Sequence, residues 1–297
     1  MGYGWANAIE EFPLVLFTTL TPSAVVAYLI VAIGTLSRDL GGADDPGRAR
    51  LRNSLVVTLV LASIGLIAAA LHLGNPANAL YVFAGVGRSP LSNEVLAVIA
   101  FLMLSGVLWM LQFSVKPHRT AMGLLYALIA VAAVIVIALI GYAYHVDTVL
   151  TWVVWQVPAS IALNALLGSV IVAECALRLF DVRPPGPFRS PAAVRAMLIV
   201  AGAACLAVHA TQGMAFPDMR NAYGTAAQLV PLYWWGLAGF AAFELAASTI
   251  VVLDLRSGPS GALGKAGPVV AIVLAYAGML VMRFMFYMSH LTVGLGF

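Results

Sequence analysis

The sequence predicts an all-α membrane protein: an eight-transmembrane-helix bundle, one integral membrane domain over residues 1–297, with the N and C termini outside (periplasmic or extracytoplasmic). Three observations predict it. Of the 297 residues, 62% are hydrophobic and 9% charged, with a mean hydropathy of +0.99, whereas a soluble globular domain carries about 25% charged residues. Eight apolar runs reach the roughly 20 residues that a helix needs to cross a hydrocarbon core of about 30 Å. The basic residues between those runs fall almost wholly on one side.

The runs lie approximately at 12–36, 54–73, 93–114, 121–144, 155–177, 192–213, 229–253 and 268–291. The first is free of charge and too long for a signal-peptide core, with no basic stretch before it, so it is expected to persist as a mature helix. Gly41-Gly42 and Asp45-Pro46-Gly47 punctuate the connection to the second run. The second ends at His72-Leu73-Gly74-Asn75-Pro76; Gly74 can take the left-handed terminating conformation and Pro76 forbids continuation. The third opens around Leu91-Ser92-Asn93-Glu94, with Ser92 or Asn93 as N-cap. In the fifth, Glu174 lies four residues before Arg178, the spacing of a helical ion pair. Pro184-Pro185-Gly186-Pro187 and Gly258-Pro259 mark two further turns, and Pro22 and Pro158 are expected nearer helix ends than middles.

Twelve of the 15 lysines and arginines lie in the first, third, fifth and seventh connections; only Arg88 and Arg220 lie in the opposite loops, and Arg283 is inside the last run. The basic loops are therefore expected in the cytoplasm, in a multi-pass protein of the cell (inner, cytoplasmic) membrane. The same distribution explains the basic pI without nucleic acid as a partner. Cys175 and Cys205 lie in apolar runs and suit neither a disulfide framework nor a metal site. Gly85-Val86-Gly87 lacks the third glycine of a dinucleotide loop, and the segment ending Gly264-Lys265-Ala266 has neither the spacing nor the hydroxyl of a phosphate loop.

The unusual polar residues gather toward the outer face: His72, His145, His209 and His290, with Glu94, Asp147 and Asp218. Ionisable groups at membrane depth cost a few kcal/mol and mark cavities or relays. His72 in the last turn of one helix and Glu94 in the first turn of the next sit at the same depth. There they are either headgroup-level helix caps or the proton-accepting pair that quinol oxidation requires, since two protons must leave the hydroxyls as two electrons depart. Arg283, Tyr287 and His290 follow i, i+4, i+7 and share a helix face, either as an aromatic belt with a snorkelling arginine or as the polar lining of a cavity. Asp147 in an outer loop and Glu244, deep in the seventh run, are candidates for proton transfer. His209 is expected as a packed histidine.

The string His72-Leu73-Gly74-Asn75-Pro76 followed by Leu91-Ser92-Asn93-Glu94 resembles the membrane anchor subunit of dimethyl sulfoxide reductase, a family related to the quinol-oxidising anchors of polysulfide reductase type. Asp147-Thr148-Val149 with Thr151-Trp152, the closing Phe286-Tyr287 with His290-Leu291-Thr292-Val293-Gly294, and the opening Gly4-Trp5 and Glu11-Phe12-Pro13-Leu14 resemble it too. The resemblance implies the membrane anchor subunit of a respiratory oxidoreductase complex, without haem or metal in this chain, that oxidises menaquinol in anaerobic electron transport. Its implied partners are a four-cluster iron–sulphur subunit and a molybdopterin catalytic subunit, docked on the outer face. It implies catalytic roles for His72 and Glu94 and a quinol site extending to Gly74, Pro76, Asn93, Arg283, Tyr287 and His290. One departure is Asn78, where the family often has arginine, so that Arg88 or Arg283 would have to orient the quinol. Two other readings compete: a haem-bearing cytochrome b-type anchor, which needs histidines facing one another at matched depth, and a small-molecule transporter, which broken helices in two related halves would betray.

Overall fold

The computed structural model describes residues 3–36, 44–73, 76–114, 118–257 and 264–294, with backbone alone at 3, 76–79, 256 and 257. Ten α-helices follow in order among them: α1 (Tyr3–Glu10), α2 (Phe12–Ala32), α3 (Pro46–Leu71), α4 (Pro90–Leu111), α5 (Arg119–Ala143), α6 (Gln156–Leu179), α7 (Pro191–Ala215), α8 (Ala226–Leu229), α9 (Tyr233–Ser257) and α10 (Ala266–Met288). Eight of them, all but the short α1 and α8, are long and apolar enough to cross a membrane. The expected spans are therefore present, with shifted ends. α3 begins eight residues before the apolar run because Asp45 caps it, accepting from the Gly47 N–H at 3.2 Å, and Pro46 occupies the first turn. The Asp45-Pro46-Gly47 string is thus a helix start. α4 is capped by Ser89, one turn ahead of the expected Ser92 or Asn93; the Ser89 hydroxyl accepts from the Ser92 N–H at 3.4 Å. Pro22 lies in the middle of α2, contrary to the end position expected of it, while Pro158 is in the first turn of α6. The turns expected at Gly41-Gly42 and Gly258-Pro259 lie outside the described residues.

α2 and α6 are buried along most of their length, and the other spans pack around them with broad apolar faces turned outward. Small and hydroxyl-bearing residues let the central helices approach their neighbours. Gly65 of α3 meets the Thr21 side chain of α2, and Gly168 of α6 meets Ser23 and Met279. Thr18, Thr19 and Ser23 return their hydroxyls to carbonyls one turn earlier, so these three are satisfied inside α2 itself.

The connections sort by end. One end, called here the site end, carries the start of α2, the end of α3, the start of α4, the end of α5 and the end of α10. It is closed by a two-stranded ribbon, β1 (Arg220–Asn221) with β2 (Gly224–Thr225), and by an isolated bridge between Val149 and Thr292. The opposite, basic end carries the starts of α3, α5, α7 and α10.

Candidate functional site

Glu94 is the fifth residue of α4, on the face whose later positions Val98, Phe101, Ser105 and Leu108 form its buried stripe. That periodicity turns Glu94 inward, and the residue is 1% exposed. α10 runs antiparallel toward the same level and presents Arg283, likewise buried, one and a half turns before its end. The two groups are close enough to act on each other electrostatically, yet they form no salt bridge. Both Glu94 carboxyl oxygens and Arg283 Nη2 lack a hydrogen-bond partner among the described residues. The Arg283 guanidinium is instead held over rings, 5.0 Å from the Phe286 centroid and 5.9 Å from that of Tyr144. Tyr144, at the end of α5, shares a hydrogen bond with the Tyr287 hydroxyl, and Thr18 of α2 lies beside Tyr287. A buried acid, a buried cation and two phenols thus converge at one level, beside α2.

His72 caps the end of α3, partly exposed, and its partner is a residue that sequence reasoning did not single out. Its Nδ1 lies 3.3 Å from a Glu11 carboxyl oxygen at the start of α2. Burial pushes the Glu11 carboxyl above the ordinary range, while His72 pulls it back and Glu10 adds to the rise. His72 and Glu94 are therefore at one end of the bundle but belong to two separate pairs: His72 with Glu11, and Glu94 with Arg283. At the same end, α3 and α4 border an apolar cleft of about 250 Å³, lined by Ala69, Ala70 and Leu73 of the α3 side, Phe83, and Leu91 and Val95 of α4. Its lining residues Leu73, Leu91 and Val95 are sequence neighbours of His72 and Glu94, so the cleft lies near both pairs without being lined by either.

The closing motif folds differently from the expectation. α10 stops at Met288, so His290 is not on its helical face with Arg283 and Tyr287. The polypeptide leaves the helix because it pairs with the loop after α5: Leu150 N–H donates to the Leu291 carbonyl at 2.8 Å, Val293 N–H to that of Thr148 at 2.9 Å, and the Thr151 hydroxyl to that of Ser289 at 2.8 Å. The two motif pieces that lie far apart in sequence are thus one structural unit. Trp152 sits at its centre, stacked on Phe286 and 4.8 Å from the His290 ring. Burial lowers the His290 pKa, which favours a neutral ring.

The separate strings suggested a family, and comparison with known proteins decides it: a sequence model of the DMSO reductase anchor subunit (DmsC) matches residues 1–288. The chain belongs to the DMSO reductase anchor subunit family. It is similar to the anaerobic dimethyl sulfoxide reductase chain YnfH of Escherichia coli (strain K12), with 30% identity over 300 residues that cover 99% of both proteins. It is also similar to the C subunit of anaerobic dimethyl sulfoxide reductase from the same organism, 28% identical with 99% of both proteins covered. The corresponding C subunit of Haemophilus influenzae (strain ATCC 51907 / DSM 11121 / KW20 / Rd) is 28% identical, with 97% of this protein and 98% of the relative covered.

The other expected residues of this anchor subunit lie at varying distances from the acid–cation pair. The Asn93 side chain accepts from the Gly87 N–H at 2.7 Å and so ties the loop before α4 to the helix. Gly74 lies outside the described residues; Pro76 opens a 3-10 helix (Pro76–Gly85), with its side chain outside them. Asp147 is exposed, 3.9 Å from His145. Glu244 is at mid-span in α9, buried, its Oε1 packed at Gly278 of α10. Glu174 lies near Arg178 without the expected salt bridge, its carboxyl oxygens unpartnered among the described residues. His209 is packed as expected, with Nε2 3.4 Å from the Asn164 amide and its ring edge-on to Phe240. Tyr144 and Thr18 had no sequence signal, and Glu11 stood only within an opening family string, with nothing to report its pairing role.

Proposed function

We propose that this protein is the membrane anchor of a dimethyl sulfoxide reductase-type molybdoenzyme complex in the cell membrane and that it oxidises menaquinol at the site end of the bundle. The observation that carries the reading is Glu94: a carboxyl with no hydrogen-bond partner among the described residues, faced by a guanidinium with an unfilled donor. A hydroxyl placed between the two would donate to Glu94 while its oxygen accepts from Arg283, completing both. The cleft between α3 and α4 offers an apolar bed for a flat ring system and its prenyl tail. Oxidation of a quinol to the quinone releases two protons and two electrons. Glu94 takes one hydroxyl proton; the His72–Glu11 pair, partly exposed at the mouth, takes the second and passes it to water. The electrons leave to the iron–sulphur subunit that docks over this end and supplies the redox centres. Asn93 positions the loop, and the Tyr144–Tyr287 pair keeps Arg283 in place.

The test uses the assembled complex in native membranes. Glu94→Gln keeps the shape of the side chain but removes its basicity, so quinol-dependent reduction of dimethyl sulfoxide is expected to fall about 100-fold or more, with binding of a quinol analogue nearly unchanged. His72→Ala is expected to abolish the same activity while the complex still assembles. Normal turnover in both variants would sink the site. A sharp haem band in the purified complex, assigned to this subunit, would replace the reading by the cytochrome one.

A further inference from the structure

At the basic end, remote from the acid–cation pair, the start of α3 and the connection from α6 to α7 enclose a cavity of about 620 Å³. Its rim carries three guanidinium groups, Arg50 from α3 and Arg183 and Arg189 from the connection. The connection folds back on itself at Gly186, whose φ of +53° suits glycine, and Arg189 is braced by donating from Nε to the Pro184 carbonyl at 3.3 Å. Among the described lining residues the one carboxylate is Asp181, which lies 3.9 Å from Lys265. Three guanidinium groups against one carboxylate leave the described lining net positive. The floor is not: Ile33, Leu36 and Leu51 line it where the first span ends.

We propose that this cavity binds the headgroup of an anionic phospholipid. A phosphodiester carries one negative charge and two non-bridging oxygens, which match the forked donors of guanidinium groups. A phosphate bound alone would leave the apolar floor wet. A lipid covers it with its glycerol and upper acyl carbons, and the end of the first span is the level at which a bilayer holds its phosphates. A zwitterionic headgroup would bring its own cation against three arginines. The occupant is thus an acidic lipid, held as a fixed ligand between the first and third membrane-crossing hairpins of the protein.

The experiment uses the full complex, purified in mild detergent and depleted of lipid by exchange. Native mass spectrometry should show about one phosphatidylglycerol retained per anchor subunit. Added phosphatidylglycerol should raise the thermal midpoint of the anchor, whereas phosphatidylcholine and inorganic phosphate should not. Replacing Arg50, Arg183 and Arg189 together by Gln should weaken phosphatidylglycerol binding about tenfold or more. A control with Arg119→Gln and Arg195→Gln, at the same end but outside the cavity, should bind as the parent does. Should the triple variant fail to fold, Arg50→Gln alone should still lower the affinity. Equal shifts with phosphatidylcholine or with free phosphate overturn the proposal, as does equal weakening in the control.

Discussion

Glu94 and Arg283 illustrate how a buried acid and base can be neighbours without satisfying each other. Each has unfilled hydrogen-bonding capacity, and a buried group left so costs about 1–3 kcal/mol, a cost that a bound substrate hydroxyl would relieve. The phenol pair beside them is a support. Tyr144→Phe removes its hydrogen bond to Tyr287 but little volume; turnover is expected to drop about fivefold, the equivalent of one ordinary hydrogen bond, with assembly unaffected. Glu11 permits a test of sign. Burial raises its pKa in the fold, so the folded state holds its proton to higher pH than the unfolded polypeptide does. Its contribution to stability is therefore full below the unfolded carboxylate pKa and is lost as pH rises through the folded one. Thermal midpoints measured from acid toward neutral pH should thus fall in the parent relative to Glu11→Gln, where that titration is absent. A parallel pair of curves would contradict the burial argument. The residue types at this end were legible in the sequence; the pairing of Glu11 with His72 was not, because nothing in the spacing of Glu11 and His72 reports which helix start leans on which helix end.

At the scale of the element, the helix ends separate what composition reveals from what it hides. A search for apolar runs begins the second span at residue 54, because Arg48, Arg50 and Arg52 make its first two turns polar. The backbone is helical from Pro46 nonetheless, and the Asp45-Pro46 start signal marks it. At the far end, apolar length carries the last span to 291, yet α10 stops at Met288 because its following residues pair with the loop after α5. The contact of α2 with α3 depends on Gly65, where an added Cβ would overlap the Thr21 hydroxyl. Gly65→Leu should destabilise the anchor by about 1–3 kcal/mol through forced separation of the helices. Gly106→Leu, in α4 with open space around it, should be nearly neutral. The comparison of thermal midpoints in one detergent decides it; equal losses at both positions would mean that the close approach at Gly65 is not what the substitution disturbs, since Gly→Leu by itself favours the helix.

For the molecule as a whole, the proposed chemistry lies entirely at one end of the bundle. In the proposed arrangement the proton acceptors, the quinol cleft and the docking face for the electron-transfer partner share that end, so oxidation would release protons and electrons on the same side. Proteoliposomes turning over with a menaquinol analogue should accordingly develop little membrane potential through this subunit; a robust potential would require a proton path past Glu244 and overturn the one-sided arrangement. That the site end faces outward is what the concentration of basic residues at the opposite end predicts, and labelling of a cysteine introduced at exposed Asp147 checks it in intact cells.

The sequence by itself determined the number of spans, the segregation of basic residues to alternate connections and the family strings, because hydrophobic length, charge and motif are properties of single segments. Only the tertiary structure decided which helices are central and which side chains meet. In lipid, inward and outward faces can be equally apolar, so the apolar residues of α2 and α6 do not by themselves reveal the depth of these helices. Close approach at Gly65 and Gly168 sets their places. The same packing turns Glu94 toward Arg283 and the phenols of Tyr144 and Tyr287, leaving His72 to pair with Glu11.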